Sequence, residues 1–255
     1  SMKSLFKALD IIETLAEAGE MGIRELSSKT GIPPATIHRI VSALMERNYL
    51  QKTHGSKRYA LSPKYILLAE SIQGRSELSL IARPYLEELM RRSGENANLC
   101  IRDGQHATYI DHVQSRKHNL RIFTRIGASA PLYATGVGKI FLAGMPAHRL
   151  ETYFETVDLK PLTPHTITDL ENLRAEIRNI RSSGYSVDNQ EKELGVRCIA
   201  APLLNFRAET DAAISISGPA QRITTRRLPA LAAAVKAIAT DISVKRGYLT
   251  RKRNL

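Results

Sequence analysis

Residues 32–48 read IPPATIHRIVSALMERN, and the reading of this stretch decides the fold of the first sixty residues. Pro33 and Pro34 suit a turn and the first helical position, because a proline deeper in a helix removes a hydrogen bond and clashes with the preceding turn. Ile37, Ile40, Val41 and Leu44 then recur at i, i+3, i+4 and i+7, the stripe of a helix with one buried face. That leaves Ala35, Thr36, His38, Arg39 and Ser42 on the open side. A hydroxyl, an imidazole and a guanidinium fork are groups that read base edges and hold phosphates.

The flanking residues extend this pattern. Upstream, Leu5, Ala8, Leu9, Ile12, Leu15 and Ala16 repeat at helical spacing until Gly19. IRELSSKTG (23–31) then gives a short helix with Ile23 and Leu26 inward and Gly31 at its end. Helix, short turn, helix is the helix-turn-helix unit, whose second helix enters the major groove. Downstream, YLQKT (49–53) and RYALS (58–62) are short alternating strands around HGSK, with Gly55 at the turn. Lys57 and Arg58 near the tip make this hairpin a wing that can touch phosphate or minor groove. Small helical bundles with a hairpin also serve as protein-docking modules; the basic wing and the charge of the chain weigh toward DNA.

The net charge is +12 over 255 residues, which favours an anionic partner without locating it. Part of it is a terminal run, Lys245, Arg246, Arg251, Lys252 and Arg253, that can hold phosphates non-specifically. A hydrophobic fraction of 43% supports a core in one large domain or two ordinary ones. No long apolar run is present, so no membrane partner is expected. No charged-then-apolar leader opens the chain, which points to the cytoplasm. Cys100 and Cys198 are too few for a disulfide framework or a four-cysteine zinc site, and no metal or cofactor is expected.

From Ser62 to Gly94 the chain reads helical, with a break near Gln73–Gly74. Leu78, Ile81, Ala82, Tyr85 and Leu89 form one apolar face, and Pro84 inside the pattern predicts a kink or a restart. Beyond it, strands, helices, strands and a closing helix alternate. NLCIRDG, HATYIDHVQ and LRIFTRIG read as three antiparallel strands; helices follow at about 137–145, 147–155 and 169–183. GYSVDNQ, RCIAAPLLN and DAAISISG read as three more strands, before an apolar helix over about 226–245. The order implies an α+β domain with helices packed on an antiparallel sheet.

Within it, ATGVGK (134–139) has the look of a phosphate loop but fails as one. A Walker loop needs glycine where Tyr133 stands and a hydroxyl where Ile140 stands, and a dinucleotide fingerprint needs glycine at Phe141. What remains is a turn at Gly136–Gly138 into a helix, whose free amides favour one anionic group, such as a carboxylate. Two stretches supply walls. VDNQEKELGVRCIAAP sets Asp188 at the end of one strand and Cys198 inside the next. In AAISISG, alternation puts Ala213, Ser215 and Ser217 on one face and Ile214 and Ile216 on the other. Serines on a strand more often face water and a lone cysteine is more often core, so these residues alone leave the pocket open.

The chain resembles the IclR-type bacterial transcriptional regulators. L-x-K-A-L-D-I-I-E, T-G-I-P-x-A-T-I-H-R and R-Y-x-L-S carry the likeness at the start; P-L-Y-A-T-G-V-G-K, G-Y-S-V-D-x-x-E-x-x-x-G-V-R-C-I-A-A-P and A-A-I-S-I-S-G-P-x-x-R carry it further on. Pro34, Ala35 and Asn189 depart from it, standing where lysine, serine and an acid are common. The resemblance implies a winged helix-turn-helix domain over 2–62, a linker helix over 63–75, a GAF-like effector-binding domain over 76–245 and a basic tail over 246–255. It implies a non-enzymatic, ligand-responsive regulator, a homodimer or homotetramer on a palindromic operator in double-stranded DNA. The DNA contacts would be Thr36, His38, Arg39, Ser42, Lys57 and Arg58. A small organic acid would set its carboxylate on the Gly136 and Val137 amides, among Asp188, Cys198, Ser215 and Ser217, with Ile122 as an apolar wall. Two alternatives stand beside this: a second domain that only oligomerises or senses a protein, and an enzyme with Cys198 as nucleophile and His165 or His112 as base. The latter lacks any histidine near Cys198 in sequence.

Overall fold

A computed structural model of the chain describes residues 2–53, 55–73, 77–115 and 125–248, which divide into two units, Ser1–Arg75 and Ser76–Leu255. In the first, α1 (Met2–Ala18) stops at Gly19, whose φ of 84° is cheap only for glycine. β1 (Glu20–Gly22), α2 (Ile23–Thr30), α3 (Pro34–Glu46), β2 (Leu50–Lys52) and β3 (Arg58–Leu61) follow, and the strands form an antiparallel sheet in the order β1-β3-β2. Ile11, Leu15, Leu26, Ile37, Val41 and Leu50 close the core.

α1 corrects one expectation. Its buried stripe is Ile11 and Leu15 with Ala8 packed alongside, whereas Leu5 and Leu9 are exposed. Of the packed residues, Ala8 and Leu15 belong to the set that helical spacing picks out, and Ile11 is added to them. β1 was also not expected, since three residues are too few to show alternation. α4 (Lys64–Gln73) follows the wing, with the Lys64 ammonium 4.0 Å over the Tyr49 ring and donating to the Arg47 carbonyl at 2.9 Å.

The second unit starts with α5 (Glu77–Ser93), which runs through Pro84 without restarting. β4 (Asn96–Asp103), β5 (His106–Val113) and β6 (Ser129–Pro131) precede α6 (Gly136–Gly144), α7 (Ala147–Thr156) and α8 (Leu170–Ser183). β7 (Ser186–Asn189), β8 (Val196–Leu204), β9 (Thr210–Pro219) and α9 (Leu228–Lys245) complete it. The six strands pair antiparallel in the order β6-β5-β4-β9-β8-β7, so β9, last in sequence, lies at the centre. The strand expected over LRIFTRIG lies largely outside the described residues; among the described residues β5 pairs with β4 on one side and with β6 on the other.

Helices cover both faces. Leu86 and Leu89 of α5 and Val235 and Ile242 of α9 pack on one, against Leu99, Ile214 and Ile216. Ile140 and Phe141 of α6, Phe154 of α7 and Ile177 of α8 pack on the other, against Cys100, Tyr109 and Ala213. The alternation in AAISISG is thus realised: Ile214 and Ile216 face α9, and the odd-numbered residues face α6.

Candidate functional site

The first unit presents one polar face. Gly31 closes α2 in the left-handed region (φ 70°), its amide donating to the Ser27 carbonyl at 3.0 Å. Pro33 then caps α3, and Pro34 occupies its first turn. With Ile37, Ile40 and Val41 buried, His38, Arg39 and Ser42 are exposed and Thr36 is half-buried. The Ser42 hydroxyl donates to the His38 carbonyl at 2.9 Å, which leaves its oxygen lone pairs outward.

The wing turns at Gly55 (φ 74°) with Lys57 exposed; His54 at its tip lies outside the described residues. Arg58 already has partners within the unit. Its guanidinium reaches Glu20 Oε1 at 3.3 Å and Glu25 Oε2 at 3.1 Å, and donates to the Glu20 carbonyl at 2.9 Å. Glu25 in turn accepts from the Gly22 amide at 2.7 Å, and this bond, with help from Arg58, holds its carboxyl below the usual range. Arg58 therefore fastens the wing to the start of α2. The carboxylates that claim it lie 33 and 38 residues upstream, which no local reading of the wing could show.

In the second unit the site grows from the start of α6. Thr135 caps the helix, its hydroxyl oxygen accepting from the Gly138 amide at 3.1 Å and its carbonyl from Lys139 N at 2.9 Å. That leaves the first two helical amides, Gly136 and Val137, without intrahelical partners, and both residues line a cavity of about 90 Å³. Gly138 cannot be larger, because a Cβ there would run into the Leu132 carbonyl. Ser186 on β7 ties the turn down by donating to the Gly136 carbonyl at 2.6 Å.

Lys139, the lysine that makes the stretch look like a phosphate loop, is fully buried and points away from that role. Its three ammonium hydrogens meet Glu191 Oε1 at 2.7 Å, the Val187 carbonyl at 2.7 Å and Glu176 Oε1 at 3.1 Å. It pins α6 to α8, β7 and the loop after β7. Glu191 also donates its amide to Asp188 Oδ1 at 2.8 Å, so this network reaches the cavity wall.

Asp188 and Cys198 face each other in the β7–β8 register, and Cys198 faces Ser217 in the β8–β9 register. All three line the cavity, as does Ser215. Burial pushes the Asp188 carboxyl up to about 6, partly offset by the Glu191 amide. Burial also pushes the Cys198 thiol up to about 12, so it is a protonated donor at neutral pH, 3.2 Å from Ser217 Oγ. Asn189 does not line the cavity: its Oδ1 accepts from Arg197 Nε at 2.9 Å and Nη2 at 2.7 Å.

Six of the seven expected ligand residues thus share one cavity, and Ile122 lies outside the described residues. Tyr109, Thr135, Arg125 and Lys192 line it as well and were not expected. Thr135 was legible as a cap residue before a helix, and Tyr109 by alternation with Ala107; the two cations carry no local signal. The G-P-x-x-R run has its own explanation. A Cβ on Gly218 would collide with the Glu95 carboxylate, which is buried and held at both oxygens by Arg222 at 2.8 and 2.7 Å.

A winged helix-turn-helix unit in one chain with a sheet unit of this kind defines a two-unit transcriptional regulator that binds DNA. The family described as IclR helix-turn-helix domain matches residues 4–54, and that described as bacterial transcriptional regulator IclR C-terminal matches residues 71–244. The chain is 33% identical to the HTH-type transcriptional regulator KipR of Bacillus subtilis, across 96% of this chain and 98% of that one. It is 31% identical to the transcriptional repressor IclR of Escherichia coli, across 96% and 90%. The crystal structure of Thermotoga maritima IclR superposes with a TM-score of 0.83 at 32% identity, covering 97% of this chain and 100% of the other. The chain belongs to the IclR family. Among the described residues no helix is long and apolar enough to cross a membrane.

Proposed function

We propose that the second unit binds a small organic acid and that the bound acid changes how paired first units hold a palindromic operator. The observation that carries this reading is the convergence of two partnerless helical amides, Gly136 and Val137, with Ser215, Ser217, Asp188 and Cys198 on one cavity. A helix start offers partial positive charge and directed N–H groups to one carboxylate. The cavity volume of about 90 Å³ restricts the ligand to a short acid. Cys198, its thiol pushed up by burial and bonded to Ser217, serves as a wall of the cavity, with no histidine beside it among the described residues.

On the DNA side, Thr36, His38, Arg39 and Ser42 would meet the major groove and Lys57 the backbone. The ligand acts by binding one arrangement of the assembly more tightly than another. A thermal-shift screen of the full chain against short carboxylic acids tests the reading. A true ligand at 100 times its Kd stabilises by about 2.7 kcal/mol. If no acid shifts the unfolding midpoint, the second unit serves only for assembly or for a protein partner.

A further inference from the structure

Two carboxyl groups stand on the cavity wall, and they differ in setting: Glu193 is exposed, whereas Asp188 is sealed from solvent at 2% exposure. The start of α6 lies directly against Asp188, since a Cβ on Gly136 would stand 3.7 Å from its amide nitrogen. An acid seated on the Gly136 and Val137 amides, within about 90 Å³, therefore brings a negative charge beside a buried carboxyl. Such neighbours disfavour each other's ionised form unless a cation balances them. Among the described residues the buried cation is Lys139 of α6, and its ammonium is shared between Glu191 and Glu176 of α8. Glu191 Oε2 is buried without a hydrogen-bond partner, so that ammonium already falls short of the acids it serves. Arg125 and Lys192 reach the cavity from exposed positions, where solvent screens their charge. Cys198 of β8 and Tyr109 of β5 also face Asp188, and burial pushes both up, so both are neutral at pH 7. No histidine lines the cavity among the described residues.

We propose that the acid enters the cavity together with a proton, which Asp188 holds beside the bound carboxylate. This rests on the carboxylate reading of the α6 amides and adds a regulatory input to it. The Glu191 amide occupies Asp188 Oδ1 at 2.8 Å, which leaves the proton to Oδ2. The empty site is poised for the uptake, because burial lifts the Asp188 carboxyl to about 6 against the pull of that amide. A ligand carboxylate lifts it further, so at pH 7 the proton is drawn from solution as the acid binds. The sign follows from linkage. Below the ligand-free value of about 6 both free and bound sites carry the proton, and affinity is level. Above it the free site must first gain the proton, and affinity falls by up to about tenfold per pH unit. A given concentration of acid therefore occupies more of the protein as pH falls.

The test is calorimetric titration of the full chain with acetate, lactate, pyruvate and succinate, carried on with the one that binds tightest. At pH 7 the titration is run in PIPES and in Tris, whose different ionisation heats reveal the protons exchanged. The wild type is expected to take up most of one proton per ligand, and to lose affinity about tenfold between pH 6 and 7.5. In Asp188→Asn the amide stands in for the protonated carboxyl. This variant should keep the acid-side affinity across that range, with no proton uptake, and ligand-free melting confirms that it is folded. The wild-type proton count stands without the variant: a count near zero overturns the proposal. Uptake that persists in folded Asp188→Asn also overturns it, because the proton then lies on the ligand or another group. So does a folded Asp188→Asn that no longer binds, because the ligand then needs the ionised carboxylate. A wild type that binds none of the four acids overturns the short-acid reading beneath it, which is a separate failure.

Discussion

α3 and α6 each open a region proposed to meet another molecule, yet the two offer different chemistry. α3 starts on two prolines with no side-chain cap, buries one stripe and turns His38 and Arg39 outward. α6 starts on a threonine cap, is buried from Gly136 to Leu142, and offers backbone amides while its lysine is consumed inside. Side chains on an open face can be exchanged with little effect on the fold. Polar groups inside a core are held by partners far away in sequence, so fold and site cannot be altered separately there.

The sharpest way to break this contrast is Lys139→Met. It strands Glu191, and partly Glu176, without their cation, and removing one partner of a buried pair costs about 3–5 kcal/mol. Urea unfolding should show that loss; a variant as stable as the wild type would mean that the network is dispensable. Asp188→Asn comes next, with a pH signature. The folded carboxyl at about 6 lies above its ordinary 3.8, so the folded state holds the proton more tightly. That stabilisation is complete below pH 3.8 and is lost as pH rises through about 6. The asparagine cannot ionise, so ligand-free stability between these limits should flatten, by on the order of 2–3 kcal/mol.

On the open face the effects should fall on DNA and not on the fold. Arg39→Ala is expected to lose about 1–3 kcal/mol of operator binding and to relax base preference, while Lys57→Ala weakens all DNA about equally and lowers the salt dependence. Gel shifts on operator and scrambled DNA separate the two. Both variants at full affinity would remove α3 and the wing from the interface. The smallest effect belongs to Arg58→Ala. It should loosen the wing, seen as faster amide exchange in β1 and β3, with base preference intact.

The same contrast governs what the sequence discloses. α3 was legible because the burial of Ile37, Ile40 and Val41 follows from spacing alone, and the exposed residues are what remains. The faces of β9 followed likewise from alternation. Lys139 was legible only as something that does not fit a phosphate loop; its partners Glu176 and Glu191 are 37 and 52 residues away. Asn98 stands 117 and 119 residues from the serines it is hydrogen-bonded to, joined to them by the central position of β9. Arg58 shows the same limit, since a basic wing residue looks unpartnered until β1 brings Glu20 beside it. Local pattern gives the faces of elements, and which polar groups neutralise one another waits on the topology.

The central claim is that the Gly136 and Val137 amides receive a ligand carboxylate, and Gly136→Pro tests it most directly. Proline is at home in the first helical position, and Thr135 before it is already extended (φ −128°, ψ 150°), so the substitution deletes one donor with little strain. Wild type and variant are titrated calorimetrically with the acid that gives the largest thermal shift. The account predicts an unchanged ligand-free melting temperature and affinity weaker by about ten- to a hundredfold. Equal affinity in a folded Gly136→Pro variant would contradict it.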